Sequence, residues 1–110
     1  MSAEPILDIE TLADGEATTV DIDGVRYAVV RIGDEVFAIG DRCSHGAASL
    51  SEGDVDVDDL TIECPRHGSL FSLETGAALT LPATRPVPRR ALQVEGTAVV
   101  IDRQSEAATE

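Results

Sequence analysis

At 110 residues, with 8 basic side chains against 21 acidic ones and a formal charge of −13, this chain has the size of one domain with a modest core. Nucleic-acid and anionic-membrane binding both require basic surface that releases counterions, and this balance excludes them. The N-terminal MSAEPILDIE has no basic segment followed by an apolar run, and no stretch reaches the roughly 18 consecutive apolar residues of a spanning helix. These features predict a soluble, cytoplasmic, monomeric protein that acts on something small or with a protein partner.

In chain order, LDIETLADG predicts a helical turn or two. TTVDIDGVRYAVVRIGDEVFAIG then alternates apolar and polar residues and predicts strands over Thr18–Ile22, Val25–Ile32 and Val36–Ile39. Asp23-Gly24 and Gly33-Asp34 supply tight turns between them. Residues Asp41–Gly53 and Pro65–Ser69 are rich in Gly, Ser and Ala without a sustained period and are predicted loops. Leu60–Cys64 is a predicted strand that leads into the second loop. Leu81–Pro88 carries three prolines, too many for a ladder strand, and is read as a rigid loop beside the site. Ala91–Val94 and Ala98–Ile101 form a hairpin turned by Glu95-Gly96-Thr97. The polar tail, residues 104–110, is predicted to be disordered. The acidic runs DVDVDD and EGD read as solvated surface.

The chain's two cysteines and two histidines fall into two short clusters, RCSHG and ECPRHG, both on predicted loops. Each loop therefore offers one thiol and one imidazole: Cys43 with His45, and Cys64 with His67. Zinc fingers usually pair Cys with Cys and His with His on separate elements. The interleaved pattern suits a site with two distinct metal positions, as in a two-iron, two-sulfide cluster where thiolates hold one iron and imidazoles the other. Two competing readings are a structural zinc site on the same ligands and a Cys–His hydrolytic dyad. The dyad would need an orienting group and an oxyanion site, and it leaves the duplicated pattern unexplained.

Cys43-Ser44-His45-Gly46 and Cys64-Pro65-Arg66-His67-Gly68-Ser69 resemble the two boxes of Rieske iron–sulfur proteins. The similarity extends through Leu50-Ser51-x-Gly53, Glu74-Thr75-Gly76, Leu81-Pro82-Ala83 and the closing hairpin, and it is strongest to small Rieske-type ferredoxins of bacterial ring-hydroxylating dioxygenases. The resemblance implies an all-β antiparallel domain over residues 1–103, with two cluster-binding loops and the proline-rich loop at one end. It implies one Rieske 2Fe-2S cluster, with Cys43 and Cys64 on the inner iron and His45 and His67 on the outer, redox-active iron.

The implied role is that of an electron carrier, not an enzyme, working between a flavin-dependent reductase and a terminal oxygenase. Alternatives are a redox accessory of iron–sulfur cluster assembly and the small subunit of an assimilatory nitrite reductase. Gly46 and Gly68 are expected to offer unusual dihedrals and backbone N–H groups to the cluster. Ser69 matches a serine that donates to a sulfide in respiratory relatives, whereas Phe71 stands where those have a donating tyrosine. One potential-raising hydrogen bond is then missing, which implies a midpoint in the lower half of the Rieske range of about −150 to +300 mV. The histidines are expected at a solvent-facing tip ringed by Ala47, Leu50, Pro65 and Pro82. The net charge further implies steering toward a basic patch on the partner.

Overall fold

The computed structural model describes residues 5–44, 48–81 and 83–101. Its regular structure is β1 (Pro5–Asp8), β2 (Ala17–Ile22), β3 (Val25–Ile32), β4 (Glu35–Gly40), β5 (Val55–Asp56), β6 (Thr61–Glu63), β7 (Leu70–Ser72), β8 (Arg89–Arg90), β9 (Leu92–Glu95) and β10 (Ala98–Ile101), with 3-10 turns at Ile9–Thr11 and Leu50–Glu52. The strands form three antiparallel sheets, ordered β1-β10-β9, β2-β3-β4-β8 and β5-β6-β7. Among the described residues no helix is long and apolar enough to cross a membrane. The all-β antiparallel expectation holds.

The β2-β3-β4-β8 sheet forms a middle layer because β3 and β4 are apolar on both faces. Successive strand residues point to opposite sides. Tyr27, Val29 and Ala38 thus face one core with Leu12 and Ile22, while Ala28, Val30 and Ile39 face another. The second core also takes Leu50, Ile62, Phe71, Leu73, Ala83, Val87 and both cysteines. It therefore bonds the middle sheet to β6, β7 and the proline-rich loop, and it sets the positions of both cysteine-bearing segments.

The hairpin predictions match closely. At the β2–β3 turn both Asp23 (φ 52°) and Gly24 (φ 85°) are left-handed, the geometry that favours Asp-Gly in two-residue hairpins. The N-terminal expectation needs correction. Helical structure there is one 3-10 turn, and Leu7 and Asp8 belong to β1, paired with Val99 and Ala98. Asp8 caps the turn by accepting from the Glu10 N–H at 2.8 Å, so its local signal was that of a cap rather than of a helix. Strands β1, β5, β7 and β8 were not expected.

The predicted tail, with residues 102–103, lies outside the described residues, as do His45, Gly46, Ala47 and Pro82.

Candidate metal centre

Two loops are built on the same plan. β4 delivers the chain to Asp41, and the neck of the first loop closes where the Cys43 N–H donates to the Ala48 carbonyl at 2.9 Å, beneath an isolated Arg42–Ser49 bridge. β6 delivers the chain to Cys64, whose N–H donates to the Ser69 carbonyl at 2.8 Å and extends the β6–β7 ladder by one step. Each cysteine thus sits at the base of a loop, anchored by its own backbone, and both are buried.

Asp41 holds the first loop from below. It is 4% exposed, and its carboxylate accepts from the Ser49 hydroxyl at 2.5 Å and the Ser51 N–H at 2.9 Å, while its carbonyl accepts from the Leu50 N–H at 2.6 Å. Sequence reasoning missed this role, because an aspartate before a predicted loop reads as turn chemistry. Bonds to a charged acceptor contribute about 1.5–3 kcal/mol each. Asp41→Ala should therefore destabilise the protein by about 3 kcal/mol or more, measurable as a lowered Tm of the loaded protein.

The second loop turns through Gly68, whose φ of +73° is unfavourable for other residues. A Cβ there would meet only the Glu63 carboxylate, at an ordinary 3.5 Å, so the dihedral and not close approach selects glycine. The Gly68 N–H donates to the Cys64 carbonyl at 2.9 Å, which corrects the expectation that it is directed to sulfur.

The proline-rich loop is the third wall. Two of its backbone donors pin it to the fold: Ala83 N–H to the Ser69 hydroxyl oxygen at 3.0 Å and Val87 N–H to the Gly76 carbonyl at 2.8 Å. The Ser44 hydroxyl donates to the Arg85 carbonyl at 2.6 Å, tying this loop to the first one. Leu50, expected on the exposed ring, is wholly buried in the core, whereas Pro65 is exposed as expected.

The Cys43 and Cys64 sulfurs and a ring nitrogen of His67 lie within 4.8 Å of one another, with Cys64 Sγ 3.4 Å from His67 Nδ1. His67 is half-buried above the two buried thiols. Two soft thiols and an imidazole converging from two loops are a donor set suited to an iron–sulfur group.

Ser69 is fully buried. Its oxygen accepts from Ala83, which leaves its own hydroxyl hydrogen to donate elsewhere. A bond to a more negative, reduced group raises that group's potential. Ser69→Ala should lower the midpoint by up to about 60–130 mV, the one-electron equivalent of a 1.5–3 kcal/mol bond present only in the reduced state. A redox titration followed by circular dichroism checks this. Phe71, also fully buried, shares the core with both cysteines and has no hydroxyl to donate.

The Rieske [2Fe-2S] domain profile matches residues 2–94. The chain is 47% identical over 98 residues, 89% of its length and 88% of the relative's, to the 3-phenylpropionate/cinnamic acid dioxygenase ferredoxin subunit of Shigella boydii serotype 4. It superposes on the ferredoxin of carbazole 1,9a-dioxygenase from Nocardioides aromaticivorans IC177 with a TM-score of 0.86 at 37% identity, covering 92% of this chain and 97% of that one. It also superposes on the ferredoxin in a complex of reduced oxygenase and oxidized ferredoxin of carbazole 1,9a-dioxygenase, with a TM-score of 0.79 at 35% identity, covering 89% and 90% of the two chains. With two loop-borne thiols and an imidazole already converging where that family carries its cofactor, the chain belongs to the Rieske [2Fe-2S] domain family and is a protein of the 2Fe-2S cluster.

Proposed function

We propose that this chain is the ferredoxin of a multicomponent ring-hydroxylating dioxygenase, taking electrons singly from a flavin-dependent reductase and passing them to a terminal oxygenase. The carrying observation is the convergence of Cys43, Cys64 and His67 within 4.8 Å at one end of the fold. Supporting it, the similar ferredoxins named above are components of dioxygenases, and one is seen with its oxygenase.

In this reading Cys43 and Cys64 hold one iron and His45 and His67 the other. The bound cluster supplies reversible one-electron transfer, and neutral imidazoles in place of two thiolates leave it less negative and easier to reduce than an all-cysteine cluster. The chain's own residues do the rest. The buried thiols keep their iron away from water, and half-buried His67 provides an edge toward the surface through which a partner's cofactor can be approached. Asp41 and the Cys43 and Cys64 N–H groups hold the loops in register. The protein acts as a monomer in the cytoplasm.

The test is direct. Protein loaded with iron and sulfide should be red-brown, and its visible absorbance should bleach when NADH and a flavin-dependent ferredoxin reductase are added anaerobically. Reoxidation by a terminal oxygenase should follow. A colourless protein that takes up zinc but no iron–sulfur cluster would overturn the proposal.

A further inference from the structure

The hydroxyl of Ser69, wholly buried at the end of the second ligand box, is held from a different segment of the chain. The Ala83 N–H, on the proline-rich loop, donates to its oxygen at 3.0 Å. A hydroxyl oxygen that accepts an N–H must turn its own hydrogen away from that donor. The accepted bond also polarises the O–H and strengthens whatever bond it donates. Both effects depend on where the loop carries Ala83.

That place is set by close backbone approach at two glycines. Gly76, at φ +80°, accepts the Val87 N–H at 2.8 Å, and a Cβ on it would lie 2.3 Å from the Val87 carbonyl oxygen. Gly40, at the end of β4, donates its N–H to the Pro88 carbonyl at 2.7 Å, and a Cβ there would come within 2.8 Å of Pro88 Cδ. A backbone carbonyl and a closed ring cannot swing aside, so a side chain at either glycine moves the loop. Between these seats and Ser69, Ala83 and Val87 are 3% and 5% exposed and pack in the core that holds both cysteines. The Ser44 hydroxyl adds a tie from the first box, through the Arg85 carbonyl at 2.6 Å.

We propose that Gly76 is a positioning residue for electron transfer: by seating the proline-rich loop it keeps the Ala83 N–H on Ser69, and so holds the Ser69 hydroxyl hydrogen toward the sulfur of the cluster. The loop then sets the midpoint of the cluster as well as walling it in. This rests on the electron-carrier reading above. Reduction adds a negative charge, so an aimed and polarised donor favours the reduced state. A loop displaced by a Cβ at Gly76 withdraws the Ala83 donor, leaves the hydroxyl free to rotate, and weakens its bond to sulfur.

Redox titrations followed by circular dichroism test this as a double-mutant cycle. Gly76→Ala should lower the midpoint, by no more than Ser69→Ala lowers it, because it acts through that one hydroxyl. The two substitutions together should give the midpoint of Ser69→Ala alone. Ser44→Ala releases the Arg85 carbonyl without adding an atom; it should lower the midpoint by less, again with no further effect on Ser69→Ala protein, and it decides the matter if Gly76→Ala does not fold. Gly24→Ala, strained at the β2–β3 turn by a φ of +85° with open space around it, should lower Tm and leave the midpoint unchanged, which separates positioning from loss of stability. A wild-type midpoint in loaded Gly76→Ala or Ser44→Ala protein, or a fall that persists in the Ser69→Ala background, overturns the proposal. Failure of the electron-carrier reading would show before any titration, as protein that never gains the cluster spectrum.

Discussion

Replacing His67 with Ala should abolish the Rieske signature altogether. Its ring nitrogen is the imidazole donor seen beside the two thiols, 3.4 Å from Cys64 Sγ, and no other histidine exists besides His45 to take its place. An iron left with one imidazole would be open to water and exchange, so the reduced protein should lose its characteristic EPR signal, and iron and acid-labile sulfide should fall to background. His45→Ala should do the same. Cys43→Ala and Cys64→Ala should prevent assembly, since in the proposed ligand set each removes one of the two anionic donors. Retention of a normal EPR signal in any of the four would remove that residue from the ligand set. Folding is checked separately by far-ultraviolet circular dichroism, which should retain its β character in the histidine variants because His67 lies at the surface side of the site and outside the cores.

The second large effect comes from a glycine outside both ligand boxes. A Cβ on Gly53 would lie 1.7 Å from the Glu63 carbonyl oxygen and 2.9 Å from its carbon, both backbone atoms that cannot swing aside. Its φ of −86° is open to any residue, so the requirement is one of space. Gly53 closes the 3-10 turn after the first loop, and Glu63 is the residue before Cys64. Gly53→Ala must therefore push the two cysteine-bearing segments apart. We expect a stability loss of about 3 kcal/mol or more, in the range of overpacked cores and beyond that of surface changes. It should appear as a fall in Tm and a faster loss of visible absorbance on warming. A variant with unchanged Tm would show that β6 moves away freely and does not register the loops.

Much of this was legible in one dimension. The β2–β3–β4 meander follows from alternation and from Asp23-Gly24 and Gly33-Asp34, because both signals act over a few residues and need no distant partner. The four candidate ligands stand out through scarcity and spacing alone, and the loop character of their surroundings follows from Gly, Ser and Ala content. Short strands such as β5, β7 and β8, of two or three residues, carry too little pattern to announce themselves. They exist because a neighbour supplies the hydrogen bonds, as β4 does for Arg89 and Arg90.

What the amino-acid order determined by itself is the inventory: one acidic β domain, two Cys–His loops and a stiff proline-rich segment. Tertiary structure decided the rest. It brought Cys43 to Cys64 and His67, buried Leu50, made Asp41 the anchor of the first loop, and forced Gly53 against Glu63. Composition sums charges and counts ligands, but fields and close contacts depend on distance, and distance between segments remote in sequence exists only once the sheets have packed.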